Sequence, residues 1–178
     1  MDPANLQCFS QPHWLVIARG LDTEKWFEEG VGAGTGGIVM PKPADLPVGQ
    51  RYYRFASSTS SHSAQVGGGW WIDYENYRKI ATFARDHGHA LPYAARLFLA
   101  LPVPWTRVDR LVSAILQTPL RAYAGRGGVA AGGGDRWTPV QHDPVIQFYI
   151  PGLYVKGANP QLHETAFPNP KIEFTANM

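Results

Sequence analysis

The order of its short apolar runs constrains this chain most. Short β-prone runs lie near both ends, whereas the middle carries longer segments with helical spacing. Strands that are far apart in sequence must then meet in space, which favours an α+β fold over a regular βαβ alternation. No linker divides the chain, so a single domain over residues 1–178 is expected. The runs predicted as strands are 14–18, 51–56, 145–150 and 171–175.

Three segments in the middle are predicted as helices. Asp73 can cap a helix over residues 74–87, in which Ile80 and Ala84 lie on one apolar face and which Gly88 ends. Proline suits the first turn of the second helix, and apolar residues at spacings of three and four define the third. These further helices cover 92–101 and 108–116, and a short one near the N-terminus covers 23–29.

Glycine concentrates in two segments that are predicted as loops. Residues 30–50 hold six glycines and three prolines, a composition typical of a long surface loop. Residues 125–134 are rich in glycine again. Cys8 lies in an N-terminal segment that is predicted to be mobile. As the only cysteine, it can form neither an internal disulfide nor a cysteine-based zinc site.

Composition excludes several classes of protein. The formal net charge is +2, which is too small for the strongly basic surface that nucleic-acid binding by bulk charge requires. No apolar run approaches the roughly 18 residues of a membrane-spanning helix, and no secretory signal peptide is recognisable. No histidine motif has the spacing of zinc ligands, so no metal site is predicted.

Two short motifs indicate a chemistry. Arg19 directly follows the predicted strand 14–18, and Ser57–Ser61 directly follows the predicted strand 51–56. The planar guanidinium of an arginine binds paired phosphate oxygens better than a lysine does. Serine and threonine hydroxyls commonly satisfy backbone groups in loops, so neither motif is specific when taken alone.

Taken together, the motifs resemble the mono-ADP-ribosyltransferase toxin family, in its class with Arg, Ser-Thr-Ser and Glu motifs. The resemblance implies split mixed or antiparallel sheets around an NAD cleft, with helices inserted in the middle of the chain. Arg19 would bind the NAD phosphates. In the family, the Ser-Thr-Ser hydroxyls shape the nicotinamide pocket and hold the backbone and the catalytic acid in place. The matching residues here are Ser58, Thr59 and Ser60.

The late strand departs from the family at its catalytic residue. In the family, a glutamate there stabilises the positive charge that develops on the ribose when the bond to nicotinamide breaks. Residues 145–152 resemble that strand, but Gln147 stands at the glutamate position. Gln147 can hydrogen-bond a ribose hydroxyl but supplies no charge. Either glutamine suffices, or a carboxylate such as Glu164 or Glu173 takes the role, with Ser58 completing the catalytic set.

A competing alignment uses the next arginine along the chain. Arg54 would then bind the phosphates, and Trp70 and Trp71 would form an aromatic wall beside nicotinamide, with Tyr74 opening the following helix. This order resembles the diphtheria-like branch of the same family. Of the two alignments, the one through Arg19 is preferred from the sequence. Both imply that NAD is a substrate.

The resemblance also implies partners and a place of action. A toxin or effector of this family transfers ADP-ribose to a macromolecule, which here could be a protein or a nucleic acid. A dedicated immunity protein that inhibits the toxin is expected. Without a signal peptide, the chain would reach the cytoplasm of its target cell through a specialised system or as part of a larger protein.

Two other functions stay open. His142 and the neighbouring Asp143 could act with a second histidine in a metal-independent nuclease. Exposed aromatic residues such as Trp137 and Tyr154 could instead form the recognition patch of a non-enzymatic binding module. His87, at the end of the predicted helix 74–87, is expected to interact with the helix C-terminus.

Overall fold

The described part of the chain is an α+β structure built on one large antiparallel sheet. The computed structural model describes residues 1–20, 36–132 and 134–178. The helix predicted over 23–29 lies outside these residues. Within the described ranges, no helix is long and apolar enough to cross a membrane.

Five α-helices are present in the described residues, and most are short. The longest, α3, confirms the predicted helix 74–87, and the Asp73 carboxylate caps it by accepting a hydrogen bond from Asn76 N at 2.9 Å. The predicted helix 92–101 is confirmed as α4. The bounds are α1 Pro12–Ala18, α2 His62–Gly67, α3 Tyr74–Asp86, α4 Leu91–Leu99 and α5 Leu162–Ala166. Short 3-10 helices cover Leu6–Ser10, Val103–Trp105 and Thr175–Asn177.

The described strands form a seven-stranded sheet and a separate two-stranded hairpin. The order in the large sheet is β1-β5-β8-β3-β2-β4-β9, and every neighbouring pair is antiparallel. The strands are β1 Lys42–Leu46, β2 Arg51–Ala56, β3 Trp70–Asp73, β4 Arg110–Ile115, β5 Leu120–Arg126, β8 Ile146–Tyr149 and β9 Lys171–Phe174. The hairpin pairs β6 Ala130–Gly132 with β7 Asp135–Trp137.

Strand β3 joins the two halves of the sheet. Its first two residues pair with β8, where Trp70 faces Tyr149. Its last two pair with β2, where Ile72 faces Tyr53. The strand thus changes partner halfway along its length, and the sheet divides into a β1-β5-β8 half and a β2-β4-β9 half.

Helices α3 and α4 cover one face of the sheet. Ile80 of α3 and Ala94 of α4 are fully buried in a cluster with Tyr53, Ile72 and Leu111. Burial of each large apolar side chain here contributes about 1.5–3 kcal/mol. This packing fixes α3 directly behind β3 and β2.

The opposite face is covered by α2 and by the chain that follows β8. Trp71 stacks on Phe167 with ring centroids 4.5 Å apart, and Tyr52 meets Phe167 edge-on at 6.1 Å. Val66 of α2 and Ala166 of α5 complete this cluster. Both halves of the sheet therefore share one core.

The helix predicted over 108–116 is wrong, because this segment is strand β4. It lies between β2 and β9 in the interior of the sheet, and Leu111, Val112 and Ala114 are all buried. A strand buried on both faces reads as a continuous apolar run, which periodicity alone does not separate from a helix. Its two β-branched residues, Val112 and Ile115, suit the pleated geometry.

The strand predicted over 14–18 is also wrong, because these residues form most of helix α1. Pro12 lies in the first turn of the helix, and Gly20 follows its end with a φ of 74°. The apolar side chains, including Trp14, pack on Tyr123 and Tyr149 of the sheet. A short apolar run does not itself show whether it packs on both sides, as a central strand does, or on one side, as this helix does.

The two predicted loops contain strands, and the N-terminal segment is anchored. Strand β1 lies within 30–50, while β5 ends and β6 begins within 125–134. Cys8 is buried, and burial raises the pKa of its thiol. Asn5 is fully buried and bonded to β5, so the predicted mobility of this segment is wrong. The two late strands are confirmed as β8 and β9.

Candidate functional site

The three strands that carry the motifs of the competing alignment are neighbours in the sheet. Their order is β8-β3-β2, with Gln147 on β8, Trp70 and Trp71 on β3, and Arg54 on β2. These residues are far apart in the sequence. Strand pairing places the three motifs side by side at the point where β3 changes partner.

Arg54 lies on β2 and is half-buried, with its guanidinium packed against Gly68. It donates to three main-chain carbonyls: Nε to Gln65 O at 2.8 Å, Nη1 to Trp70 O at 3.2 Å and Nη2 to Ala64 O at 3.3 Å. Two of these carbonyls belong to the last turn of α2, where the helix lacks internal donors. No carboxylate in the described residues forms an ion pair with Arg54.

The Arg54 guanidinium is desolvated and has no charged partner in the described residues, which makes its protonated form less stable. Desolvation lowers the pKa of the Arg54 guanidinium to about 10, so the group is still cationic at neutral pH. A buried cation that meets only neutral carbonyls is costly to the fold. An anionic ligand at this position would offset that cost.

The three glycines after α2 allow close packing around Arg54. A Cβ on Gly68 would lie 2.1 Å from Arg54 Nη2. On Gly67 it would lie 2.7 Å from His163 Cδ2, and on Gly69 2.7 Å from the Tyr149 ring. The run 67–69 is therefore a place of close approach, which no residue with a side chain could occupy unchanged.

The Ser-Thr-Ser run forms a turn and a helix cap. Ser57 Oγ and Thr59 Oγ1 are hydrogen-bonded at 2.7 Å. Ser61 Oγ accepts from Ala64 N at 3.2 Å and caps α2. Ser60 is exposed, and its carbonyl accepts from the side chain of Gln65. Most of these hydroxyls satisfy local groups, and one of them, on Ser58, reaches beyond the run.

Ser58 holds the carboxylate of Asp109, a residue that the sequence analysis missed. Ser58 N donates to Asp109 Oδ1 at 2.7 Å, and Ser58 Oγ donates to Oδ2 at 2.5 Å. Arg110 Nη1 lies 3.9 Å from the same carboxylate. Burial would raise the pKa of Asp109, but the Ser58 hydrogen bonds and the Arg110 charge outweigh it and hold the pKa below its ordinary range. Asp109 is thus ionised at neutral pH.

The backbone beside Asp109 is strained. Val108, which is buried and β-branched, has a φ of 57°. Thr106 Oγ1 accepts from Val108 N at 3.2 Å, and Thr175 Oγ1 donates to Val108 O at 2.9 Å. Thr175 N also donates to Asp109 O. Such conformations persist where the surroundings impose them and are frequent at functional sites.

The side chains of Gln147 and Arg54 face opposite sides of the sheet. Tyr52 lies two residues before Arg54 on the same face, and its ring contacts Phe148 at 6.2 Å. Gln147 is the neighbour of Phe148 in β8 and so points the other way. It is 9% exposed, and its Nε2 lies 3.5 Å from Leu99 O.

The other acidic candidates lie elsewhere. Glu164 is exposed on α5. Glu173 lies on β9 and pairs with Lys171 at 2.8 Å. Burial, the neighbouring Tyr53 and then the charge of Glu173 raise the pKa of Tyr77, which places Glu173 near the start of α3. No contact in the described residues joins either glutamate to Arg54.

Arg19 lies away from the Ser-Thr-Ser run. It caps the C-terminus of helix α1 and is exposed. Its charge lowers the pKa of Tyr123, against a larger upward effect of burial, so it lies near β5. The premise that Arg19 ends a strand is therefore wrong, whereas Arg54 lies on strand β2, and Trp70 and Trp71 lie on strand β3.

The aromatic residues of the second motif have different environments. Trp71 is buried, and its Nε1 donates to Gly68 O at 2.7 Å. Trp70 is half-buried against Tyr149, with ring centroids 4.9 Å apart. Tyr74, the first residue of α3, is 54% exposed. Trp71 thus belongs to the core, whereas Trp70 and Tyr74 keep accessible surface.

The residues of the two alternative functions lie in loops and on the hairpin. His142 is exposed in the loop before β8, and Asp143 pairs with Lys79 at 2.8 Å. Trp137 is half-buried on the hairpin, and Tyr154 is exposed. Within the described residues, no group of three His, Cys, Asp or Glu side chains could hold a metal ion.

His87 lies where it was expected, at the C-terminus of α3. Its Nδ1 is 3.0 Å from Phe83 O, a carbonyl of the last helical turn. Its ring stacks on Phe83 with centroids 4.3 Å apart. Through these contacts, His87 stabilises the C-terminal end of α3.

Comparisons with known proteins add little to this geometry. No family model matches the chain, and no curated protein matches its sequence at a significant level. Among solved structures, the chain is similar to one described as "Structure of Tne2 in complex with Tni2". That similarity has a TM-score of 0.38 and 14% sequence identity, and it covers 62% of this chain and 80% of the other.

Proposed function

We propose that this chain is an NAD-using enzyme of the ADP-ribosyltransferase type, acting as a toxin or effector domain. The observation that carries the proposal is the strand order β8-β3-β2. It brings the arginine strand, the aromatic strand and the late strand together in the arrangement that the Arg54 alignment requires.

Arg54 takes the phosphate-binding role in this proposal. Its guanidinium is cationic and buried, and it has no carboxylate partner among the described residues. A diphosphate would supply the missing negative charge through charge-assisted hydrogen bonds. Because Gly68 carries no side chain, the backbone can approach the guanidinium closely.

Asp109 takes the charge-bearing role that the resemblance gives to a glutamate. In the reaction, the bond between nicotinamide and the ribose carbon breaks, and nicotinamide leaves with the electron pair. The acceptor's nucleophile forms the new bond to that carbon and loses its proton to solvent. A fixed, ionised carboxylate would stabilise the positive charge on the ribose. Ser58 is the positioning residue, because it holds both carboxylate oxygens.

Gln147 carries no charge and faces the other side of the sheet, so this proposal gives it no catalytic role. The acceptor is a protein or a nucleic acid, and the net charge of +2 does not favour either. An inhibitory immunity protein that closes the NAD cleft completes the proposal.

The proposal is tested by incubating the folded protein with NAD and candidate acceptors and measuring nicotinamide release by chromatography. The substitution Asp109→Asn should lower turnover by about a hundredfold, since it removes the charge and keeps the shape. Asp45→Asn is the matched control, because Asp45 is an exposed carboxylate paired with Arg121 on β5. It should leave turnover unchanged.

The outcomes separate the parts of the proposal. Absence of NAD turnover by the folded wild-type protein with acceptors present would reject the enzymatic function. Turnover that survives Asp109→Asn at the wild-type rate would reject Asp109 as the charge-bearing group while leaving the NAD reaction in place. Label transfer from NAD to protein or to nucleic acid identifies the acceptor class.

A further inference from the structure

A small cavity lies beside β5 and the loop before β8, on the Gln147 side of the sheet. Its volume is about 250 Å³, below the roughly 300–1,000 Å³ of pockets that bind drug-sized ligands. It is therefore too small for a dinucleotide and suits a molecule with a single ring. Its lining includes Arg126, Gly127 and Gly128 on one side and Val140, Pro144 and Val145 on the other.

Two polar side chains, those of Arg126 and Gln141, line the largely apolar wall of this cavity. Arg126 lines it and forms no ion pair with a carboxylate in the described residues. Gln147 packs directly behind the wall, since a Cβ on Gly127 would lie 2.5 Å from its Nε2. The Gln147 amide is nine-tenths buried and has one long hydrogen bond, of 3.5 Å, to Leu99 O. An exposed guanidinium without a carboxylate partner in the described residues thus borders the apolar wall, and the Gln147 amide lies behind it.

Half of the cavity wall comes from residues 139–145, which we call the lid. Lys79 of α3 holds the lid at two points, through Asp143 Oδ1 at 2.8 Å and Pro144 O at 3.2 Å. Asp143, which Lys79 contacts, has a φ of 54°, a left-handed conformation that aspartate adopts more readily than most residues. Val140 N also donates to Leu97 O. These contacts hold the lid against α3 and α4.

We propose that this cavity binds a small carboxylate with an apolar ring, closed in by the lid. The apolar residues of the wall would pack on the ring, while Arg126 would bind the carboxylate, for which a planar guanidinium is suited. The site uses neither Arg54 nor Asp109. It is thus a second site, and its existence does not depend on the proposed reaction with NAD.

The test compares benzoate with benzamide, which has the same shape and no charge. Titration of the full chain, followed by two-dimensional NMR in the absence of NAD, should show saturable shifts at Gly127 and Gly128 with benzoate. Binding of benzamide should be about tenfold weaker. Arg126→Gln should remove the preference for benzoate. Arg136→Gln is the matched control on the exposed hairpin and should preserve it.

Three results would overturn the proposal. Shifts of equal strength with both probes, in wild type and in Arg126→Gln, would show that Arg126 recognises no charge. A lack of shifts with either probe would show that the cavity binds no small ring. Equal loss of the benzoate preference in Arg126→Gln and Arg136→Gln would point to general surface charge instead of this cavity.

The role of the lid is tested separately with Lys79→Gln. This variant should raise amide hydrogen exchange across 139–145 and speed the release of benzoate, while unfolding remains cooperative. Wild-type exchange and wild-type release in Lys79→Gln would show that Lys79 does not hold the lid. Because neither measurement uses NAD, the result is independent of the outcome for the enzymatic function.

Discussion

Polar groups around helix α2 lack a charged or hydrogen-bonding partner in the described residues, whereas those around the start of β5 are paired. Near β5, Asn5 makes three hydrogen bonds, two of them to Arg121 O and N at 2.8 and 2.9 Å. Arg121 pairs with Asp45 through two contacts of 2.6 and 3.2 Å. Near α2, Arg54 lacks a carboxylate partner, and His163 Nε2 is buried without a hydrogen-bond partner, in each case counting the described residues.

This difference separates parts of the molecule that stabilise it from parts that are available for binding. A fully bonded buried amide such as Asn5 holds two chain segments in one geometry. An unpaired buried cation costs free energy, and real proteins retain such features mainly at functional sites. The comparison therefore predicts that substitutions near α2 affect function, whereas those around Asn5 and Arg121, at the start of β5, affect stability.

The largest expected effect is on activity, in the variant Arg54→Met. Methionine fills similar volume without a charge, but it leaves the three main-chain carbonyls that Arg54 bonds without their donor. The free energy of unfolding should therefore fall by about 1–3 kcal/mol, whereas kcat/KM for NAD per folded molecule should fall about a hundredfold. Denaturant unfolding and nicotinamide release measure the two quantities on the same preparation.

A control for the Arg54 experiment is Arg51→Met, three residues earlier on the same strand. Arg51 is exposed, and its Nη1 makes a long hydrogen bond of 3.4 Å to Ser113 Oγ. It should leave both quantities near wild type. A variant Arg54→Met that does not fold, or that turns over NAD at the wild-type rate, would contradict the functional role assigned to the α2 region.

The second effect is on stability, in the variant Asn5→Ala. It removes three hydrogen bonds and leaves Arg121 N and two carbonyls without their buried partner. The free energy of unfolding should fall by about 2–3 kcal/mol, with NAD turnover per folded molecule unchanged. Urea unfolding measures the loss, and a variant as stable as wild type would show that the N-terminal segment contributes nothing to the fold.

Much of the fold could be predicted from local patterns in the sequence. Asp73 with the spacing of Ile80 and Ala84 identified α3, and the β-prone run 51–56 identified β2 with its bounds. The α+β class followed from the order of such segments. These features depend on neighbours within a few residues, so the sequence displays them directly.

The candidate site could be predicted only in part, because it depends on long-range pairing. Asp109 meets Ser58 across 51 residues, through the pairing of β2 with β4, and no local pattern marks it. A helix over 108–116 would not pair with β2, so this wrong prediction hides the contact between Ser58 and Asp109. Trp14 likewise packs on Tyr149, far along the chain, which a short apolar run does not reveal.

The smallest expected effect concerns pH and tests His163, the other incompletely bonded group near α2. Burial lowers the pKa of its imidazole, the nearby Glu164 raises it, and His62 on α2 lowers it, with burial the largest influence. The pKa in the folded state is therefore below the ordinary value. The neutral ring packs against Gly67, and among the residues that the structure describes its Nε2 has no hydrogen-bond partner.

Acidification should therefore destabilise the wild type by protonating His163 preferentially in the unfolded chain. The contribution of the neutral ring to stability is complete above the ordinary histidine pKa of about 6.5 and is lost as the pH falls below it, toward the folded-state pKa. Urea unfolding at pH 7.5 and pH 5.5 should show a larger loss in wild type than in His163→Gln. Equal losses of stability in the two proteins would mean that the fold does not favour the neutral form of His163 over the charged form. The contrast between α2 and β5 would then rest on Arg54 alone.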